Sequence, residues 1–146
     1  MSVDDLSFLP DPVRRAIEIT PAAGTRERIV DITTTGRRTG LPRRIEIFFY
    51  RAGGRTYLCS GAGGGATGWY ANLLADPAFT FHLKHGLRVD LPARATPVTD
   101  PAERHAVLAA VVDDLNQPHD PGTIRPTRLA DWLDSRLMHI EFDAPA

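Results

Sequence analysis

Six short runs of alternating apolar and polar residues, set apart by glycine and proline turns, limit what this 146-residue chain can fold into. Period-two alternation sends successive side chains to opposite faces of a strand, so each run has one face to bury. Residues 28–35 form the first, with Val30 and Ile32 on one face and Ile29 on the other. Residues 44–51 follow, with Ile45, Ile47 and Phe49 on a shared face, and the two runs make a hairpin. Gly53-Gly54 turns the chain into a third run, residues 56–60, expected to pair with the second. Phe79, Phe81 and Leu83 alternate on a fourth. After the turn at His85-Gly86, Leu87, Val89 and Leu91 alternate on a fifth that continues through Ala93 and Ala95, with Pro92 marking an edge or a bulge. Met138, Ile140 and Phe142 form the last.

Helical spacing separates some of these runs. Asp11-Pro12 reads as a cap and first-turn pair before Val13, Ala16 and Ile17, a short amphipathic helix that ends before Pro21 and covers an open side of the core. Residues 69–76 form a second, stopped by Pro77, in which Trp69 meets Leu73 and Tyr70 meets Leu74 at i,i+4. Asp100-Pro101-Ala102-Glu103 is a capping-box start for a longer helix whose Leu108, Val111, Val112 and Leu115 make one apolar stripe, read as core. A loop over 116–126 leads to a short helix with Leu129, Trp132 and Leu133 on one side. Hairpin links, one inserted helix and a long helix before the last strand predict an α+β fold, a six-stranded antiparallel barrel in one domain spanning 1–146.

Composition removes several function classes. The chain is 42% hydrophobic and 24% charged, enough to bury a core. No basic-then-apolar start and no membrane-length apolar stretch occur, so a cytoplasmic protein is expected. A pI near 6.5 argues against general nucleic-acid affinity. Cys59, the single cysteine, lies in an apolar strand and reads as an inert thiol. The five histidines lack metal-ligand spacing and the acids are scattered or in caps, so no zinc site, triad or paired carboxylates are expected. His85 and His119, in a turn and a loop, are free to approach a substrate.

The most basic stretch is Thr33-Thr34-Thr35-Gly36-Arg37-Arg38-Thr39-Gly40-Leu41-Pro42-Arg43-Arg44. Four arginines fall within eight residues of a chain whose net charge is −1, with no acid beside them in sequence. Glycine freedom, hydroxyls and backbone N–H groups can then converge on a phosphate or on carboxylates, although a solvated hairpin turn has the same composition. Downstream, the nearly side-chain-free loop from Gly61 to Gly68 runs into Trp69 and Tyr70. Its spacing fits neither a Walker loop nor a dinucleotide fingerprint, which leaves a backbone wall for a flat ligand or a plain surface loop. An anion clamp, aromatics and no acid/base machinery suit an enzyme whose bound cofactor does the chemistry.

The ordered set Thr-Thr-Thr-Gly-Arg-Arg-Thr-Gly-Leu-Pro-Arg at 33–43, Leu-Cys-Ser at 58–60, Gly-Trp-Tyr-Ala-Asn-Leu at 68–73 and the following Ala-Asp-Pro resembles the deazaflavin-dependent nitroreductase family. These are split-barrel oxidoreductases, related to the FMN-binding and pyridoxine-phosphate-oxidase barrels, that use coenzyme F-420. The resemblance runs from about residue 29 to 142. It implies that Thr33, Arg37, Arg38, Thr39, Gly40, Leu41, Pro42 and Arg43 hold the phosphate and acidic tail, and that Cys59, Ser60, Gly61, Gly68, Trp69, Tyr70 and Asn72 line the deazaflavin ring. The implied reaction is hydride transfer from reduced F-420 to a quinone, an enone or a nitroaromatic.

Two departures stand out. Gly61 replaces a lysine found in well-known members, and the segment 116–136 has no tyrosine, offering only His119 and Trp132. Two alternatives keep the barrel: a non-catalytic binder of an apolar ligand such as a fatty acid, and an FMN-dependent enzyme. Dimerisation is left open by a single sequence.

Overall fold

A computed structural model describes residues 4–19, 26–61, 68–116 and 127–144. Most of the glycine loop, 62–67, and the portion 117–126 of the later loop, with His119, lie outside the described residues.

The six alternating runs are six strands: β1 (Ile29–Thr35), β2 (Pro42–Ala52), β3 (Arg55–Cys59), β4 (Ala78–Leu83), β5 (Val89–Pro97) and β6 (Leu137–Phe142). They close in the order β1-β2-β3-β6-β5-β4, every pair antiparallel, which is the predicted barrel. Hairpins account for β1–β2, β2–β3 and β4–β5. The fifth strand starts at Val89 rather than Leu87, because Gly86 takes a positive φ of 74° and the chain pairs only after it. Pro92 sits opposite Thr80, and its carbonyl accepts from Asp143 N–H at 2.9 Å just beyond the end of β6. Its missing N–H points the same way, past the last rung of that ladder, where no partner is needed.

Register decides which face goes inward. Ile32 stands opposite Ile45, Val30 opposite Ile47, Phe81 opposite both Ile32 and Leu91, and Phe49 opposite Leu58. Except for Ile45, which is 37% exposed, these residues fill the barrel interior with Met138 and Ile140, and Phe81 sits between Phe49 and Phe142 in edge-to-face contacts of 5.4 and 5.1 Å. Each fully buried aliphatic or phenyl group contributes roughly 1.5–3 kcal/mol of transfer free energy. Helix α1 (Asp11–Ile17) buries Val13 and Ile17 against this interior alongside Leu6 and Leu9. Helix α2 (Gly68–Ala75) adds Trp69 and Leu73, whereas Leu74 is 56% exposed, so only the first of the two expected pairs packs inward.

A second cluster lies outside the barrel. Helix α3 (Pro101–Leu115) starts as read, with Asp100 accepting from Glu103 N–H at 2.9 Å. Its Val107, Leu108, Val111 and Val112 cover Tyr50, Tyr57, Cys59 and Leu137 on the outward face of β2, β3 and β6. Leu129, Trp132 and Leu133 do not share a helix. A single 3-10 turn, Leu129–Asp131, turns Trp132 into this cluster and leaves Leu133 46% exposed.

Candidate active site

Strand β2 is longer than the strand that follows it. Its second half, residues 49–52, pairs with β3, but residues 42–48 pair with β1 alone among the described residues. The barrel is thus split along this overhang. Two neighbouring hollows follow it, one of about 290 Å³ beside the basic turn and one of about 440 Å³ beside the end of β3, both bordered by Ile45 and Trp69.

The basic turn is a built element. Gly36 N–H donates to Leu41 O at 2.8 Å, Gly40 N–H to Gly36 O at 2.8 Å, and Leu41 N–H to Thr39 Oγ1 at 3.2 Å. A Cβ on Gly36 would lie 2.9 Å from Thr39 Oγ1 and 3.1 Å from Leu41 O, so the turn closes only over a bare backbone. Asn72 braces it from α2: its Oδ1 accepts from Arg37 N–H at 3.1 Å and from Arg37 Nη1 at 3.0 Å, while its Nδ2 donates to Thr34 Oγ1 at 3.1 Å. The amide is neutral, and Arg37 has no carboxylate partner among the described residues. Arg38 and Arg43 also line this hollow, and neither has a carboxylate partner among the described residues.

Arg44 departs from the expected group of four. It alternates to the outer face of the barrel, where its Nε lies 3.0 Å from Asp31 Oδ2, and Asp31 in turn meets Lys84 Nζ at 2.8 Å. The sequence has no acid next to the turn, but pairing β1 with β2 brings one across the hairpin. Burial works against the Asp31 anion, yet the bonds from Lys84 and Arg44 hold its carboxyl below the usual range.

The second hollow is walled mainly by Ile45, Ile47 and Phe48 from the overhang, Tyr50, Trp69 and Trp132, and Glu46, which is paired with Lys84, also borders it. Tyr50 and Trp132 meet edge to face at 5.7 Å. Burial pushes the Tyr50 phenol far above its ordinary value, so it stays a neutral hydroxyl at neutral pH. Ser60 and Gly61 form the opposite rim. Gly61 has φ 82°, a conformation glycine adopts without strain, and a Cβ there would point at Trp132 Cη2, 3.9 Å away. Cys59 borders the hollow but is buried, and burial raises its thiol pKa despite the Ser135 bond.

Of the residues singled out by sequence, Arg37, Arg38, Thr39, Arg43, Gly68, Trp69 and Asn72 meet around the first hollow, and Cys59, Ser60, Gly61 and Trp69 around the second. Five others lie away from both. Thr33 turns outward, its Oγ1 2.7 Å from His82 Nε2, and it is Thr34 that faces the cleft. Leu41, at 62% exposure, and Pro42 form the outer tip of the turn with Gly40, whose φ is 71°. Tyr70 points to the other side of α2, under the Arg136 guanidinium, 5.9 Å from its ring centroid. Thr34, Tyr50 and the buried Ser135 are not among the sequence candidates, whereas Trp132, which segment 116–136 offers in place of a tyrosine, does border the second hollow. Alternation predicts the first of these, since Val30 and Ile32 point inward and Thr34 shares their parity; the others depend on which strands overhang.

A wider hollow of about 480 Å³ is bordered by Glu18, Asp113, Asp114 and a single arginine, Arg51. Its acidic rim is the wrong sign for an anionic ligand.

Residues 19–119, more than half of the chain, match the F-420H(2)-dependent quinone reductase family. The chain belongs to that family. Family membership makes it an F-420-dependent oxidoreductase and bears out the resemblance read from the three motifs. Solved structures agree on the fold. A conserved hypothetical protein of Mycobacterium tuberculosis superposes with a TM-score of 0.59 at 14% identity, covering 97% of this chain and 89% of its own. An F-420-H2 dependent reductase gives 0.51 at 21%, covering 78% and 94%. A Clostridium acetobutylicum protein of the pyridoxinephosphate oxidase family gives 0.52 at 14%, covering 80% and 75%. At these identities the likeness is one of architecture.

Proposed function

We propose that the two hollows form one cofactor-and-substrate cleft in which reduced F-420 passes hydride to an electrophilic small molecule, a quinone, an enone or a nitroaromatic. The observation that carries this reading is three arginines without a carboxylate partner among the described residues on an Asn72-braced turn, joined through Trp69 to an aromatic slot. The residues present suit the cofactor. Guanidinium groups match a phosphate and carboxylates, and the bare backbone at Gly36 closes the turn into a cradle that any side chain would fill.

When bound, reduced F-420 supplies the two-electron hydride donor; the protein supplies position. Arg37, Arg38 and Arg43 hold the anionic tail, and this remote binding energy fixes the ring against the substrate. Trp69, which borders both hollows, would hold the tail and the ring in adjoining parts of the cleft. Ile45, Ile47, Phe48 and Trp132 offer apolar surface for a flat ring, and the Tyr50 phenol beside them is neutral.

Titration of the purified protein with F-420 and with FMN, followed by ligand and tryptophan fluorescence, tests the reading. Micromolar or tighter F-420 binding that Arg37→Ala and Arg43→Ala each weaken about 10-fold or more is expected, in line with charge-assisted bonds of about 1.5–3 kcal/mol. FMN binding without F-420 binding would transfer the clamp to a flavin, and binding of neither would leave the apolar slot as the site of an apolar ligand.

A further inference from the structure

We propose that Ser135 is a positioning residue for this cleft: its hydroxyl latches the end of β3 to the turn that carries Trp132 and so sets the width of the ring-side slot. The role in hydride transfer rests on the F-420 reading above; the latch itself rests on geometry.

Ser135 is 1% exposed, and its Oγ lies within bonding distance of three consecutive residues on the other segment: Cys59 Sγ at 2.7 Å, Ser60 Oγ at 3.2 Å and Gly61 N at 2.9 Å. A hydroxyl has one proton and two lone pairs, so accepting from Gly61 N–H and sharing the remaining contacts between Cys59 and Ser60 uses it fully. The regular β3–β6 ladder stops at Cys59 opposite Leu137. Beyond that rung the two segments are joined by Ser60 N–H to Arg136 O at 3.0 Å, by Arg136 N–H to Ser60 Oγ at 2.8 Å, and by this hydroxyl. Both neighbours of the joint border the slot: Gly61 on one side and Trp132 on the other.

Ser135 is itself held. Its N–H donates to Trp132 O at 2.9 Å, and its carbonyl accepts from Arg104 Nη2 at 2.7 Å, the same nitrogen that reaches Leu133 O at 3.0 Å. Helix α3 therefore staples the Trp132 turn through Arg104, and Ser135 carries that position to Gly61. Gly61, at φ 82°, stands two residues beyond the end of β3, and its N–H donates to Ser135 Oγ at 2.9 Å. Among the described residues, Ser135 is the partner of that N–H, so the position of Gly61 at the rim depends on it.

Removing the hydroxyl leaves Gly61 N–H unpaired, frees the Cys59 thiol and loosens the rim. A merely structural serine would lower stability without opening this place in particular. The single cysteine makes the distinction measurable, because thiol modification reports local opening at Cys59 with no background from other cysteines. The experiment compares wild type, Ser135→Ala, Ser135→Thr and Val13→Ala, a destabilising change in the α1 plug far from the joint. Each is measured for melting temperature, Cys59 modification rate by a disulfide reagent, F-420 dissociation constant, and kcat and KM with a soluble quinone. Ser135→Ala is expected to speed Cys59 modification and weaken F-420 binding by about 5–10-fold each, as the loss of one or two buried bonds implies. The threonine, which keeps the hydroxyl, is expected to restore both. Val13→Ala lowers the melting temperature but leaves modification close to wild type.

Wild-type modification rate and F-420 affinity in Ser135→Ala would overturn the proposal, as would a threonine variant no better than alanine or equal acceleration in Val13→Ala. Failure of the wild type to bind F-420 would overturn the cofactor reading alone, and the modification rates would still decide the latch.

Discussion

Asn72 shows how much one side chain can hold. Three bonds tie Arg37 and Thr34 to α2, and the residue is 6% exposed, so its loss leaves buried partners unpaired. Asn72→Ala is expected to cost about 1–3 kcal/mol in denaturant unfolding and to weaken F-420 binding although it removes no charge, because Arg37 loses its pose. Unchanged affinity in Asn72→Leu would show that Arg37 is held from elsewhere. Gly61 is the opposite case, a position defined by lacking a side chain. Gly61→Ala is expected to cost about 1 kcal/mol for a non-glycine residue at positive φ, with its methyl only in ordinary contact with Trp132, read as a lower melting temperature. The lysine of well-known family members therefore cannot be restored here without backbone strain. In Thr33 and Thr34 the same residue type takes two roles by parity alone, one on His82 outside the barrel and one facing the cleft.

Among elements, β2 matters most, because one strand builds both the core and the cleft. Its inward set joins the barrel interior at Phe49 and lines the slot at Ile45 and Ile47. On its outer face Arg44, Asp31, Lys84 and Glu46 form a charge ladder across β1, β2 and the end of β4. The Asp31 carboxyl is held low in the folded state, so its contribution is present above the ordinary carboxylate pKa and is lost as pH falls through the lowered folded value. Asp31→Asn is expected to reduce stability by about 1 kcal/mol at pH 7, as for partly exposed pairs, with the difference from wild type shrinking below about pH 4. Denaturant melts at pH 7, 5 and 3 measure this, and a difference that grows on acidification would contradict it. Helix α3 acts through packing instead. Leu108 is 1% exposed, so Leu108→Ala is expected to cost about 2–5 kcal/mol, while the same change at the half-buried Leu115 costs less.

At the scale of the molecule, a chain of net charge −1 presents an arginine-lined cleft at one place and an acidic hollow at another. Binding of an anionic cofactor should therefore weaken with salt even though the protein as a whole is not basic. The F-420 dissociation constant is expected to rise several-fold, roughly 3–10 times, between 50 and 500 mM salt as exposed charges are screened. Arg38→Ala should flatten that dependence, and a slope equal in wild type and variant would place the tail away from this turn. Much of this was legible in the chain. Period-two alternation marked the six strands, since a half-buried strand has no other way to satisfy both faces, and the glycine-arginine turn and the Trp-Tyr-x-Asn helix start were visible as local motifs. Tertiary structure decided what no local pattern carries: that Arg44 meets Asp31, that β2 outruns β3 and opens the slot, that Trp132 faces Gly61, and that Ser135 joins them. Each of these joins residues distant in sequence through strand register and barrel closure. Register is fixed by how the whole set of apolar faces packs together, a property of the closed sheet and not of any one strand.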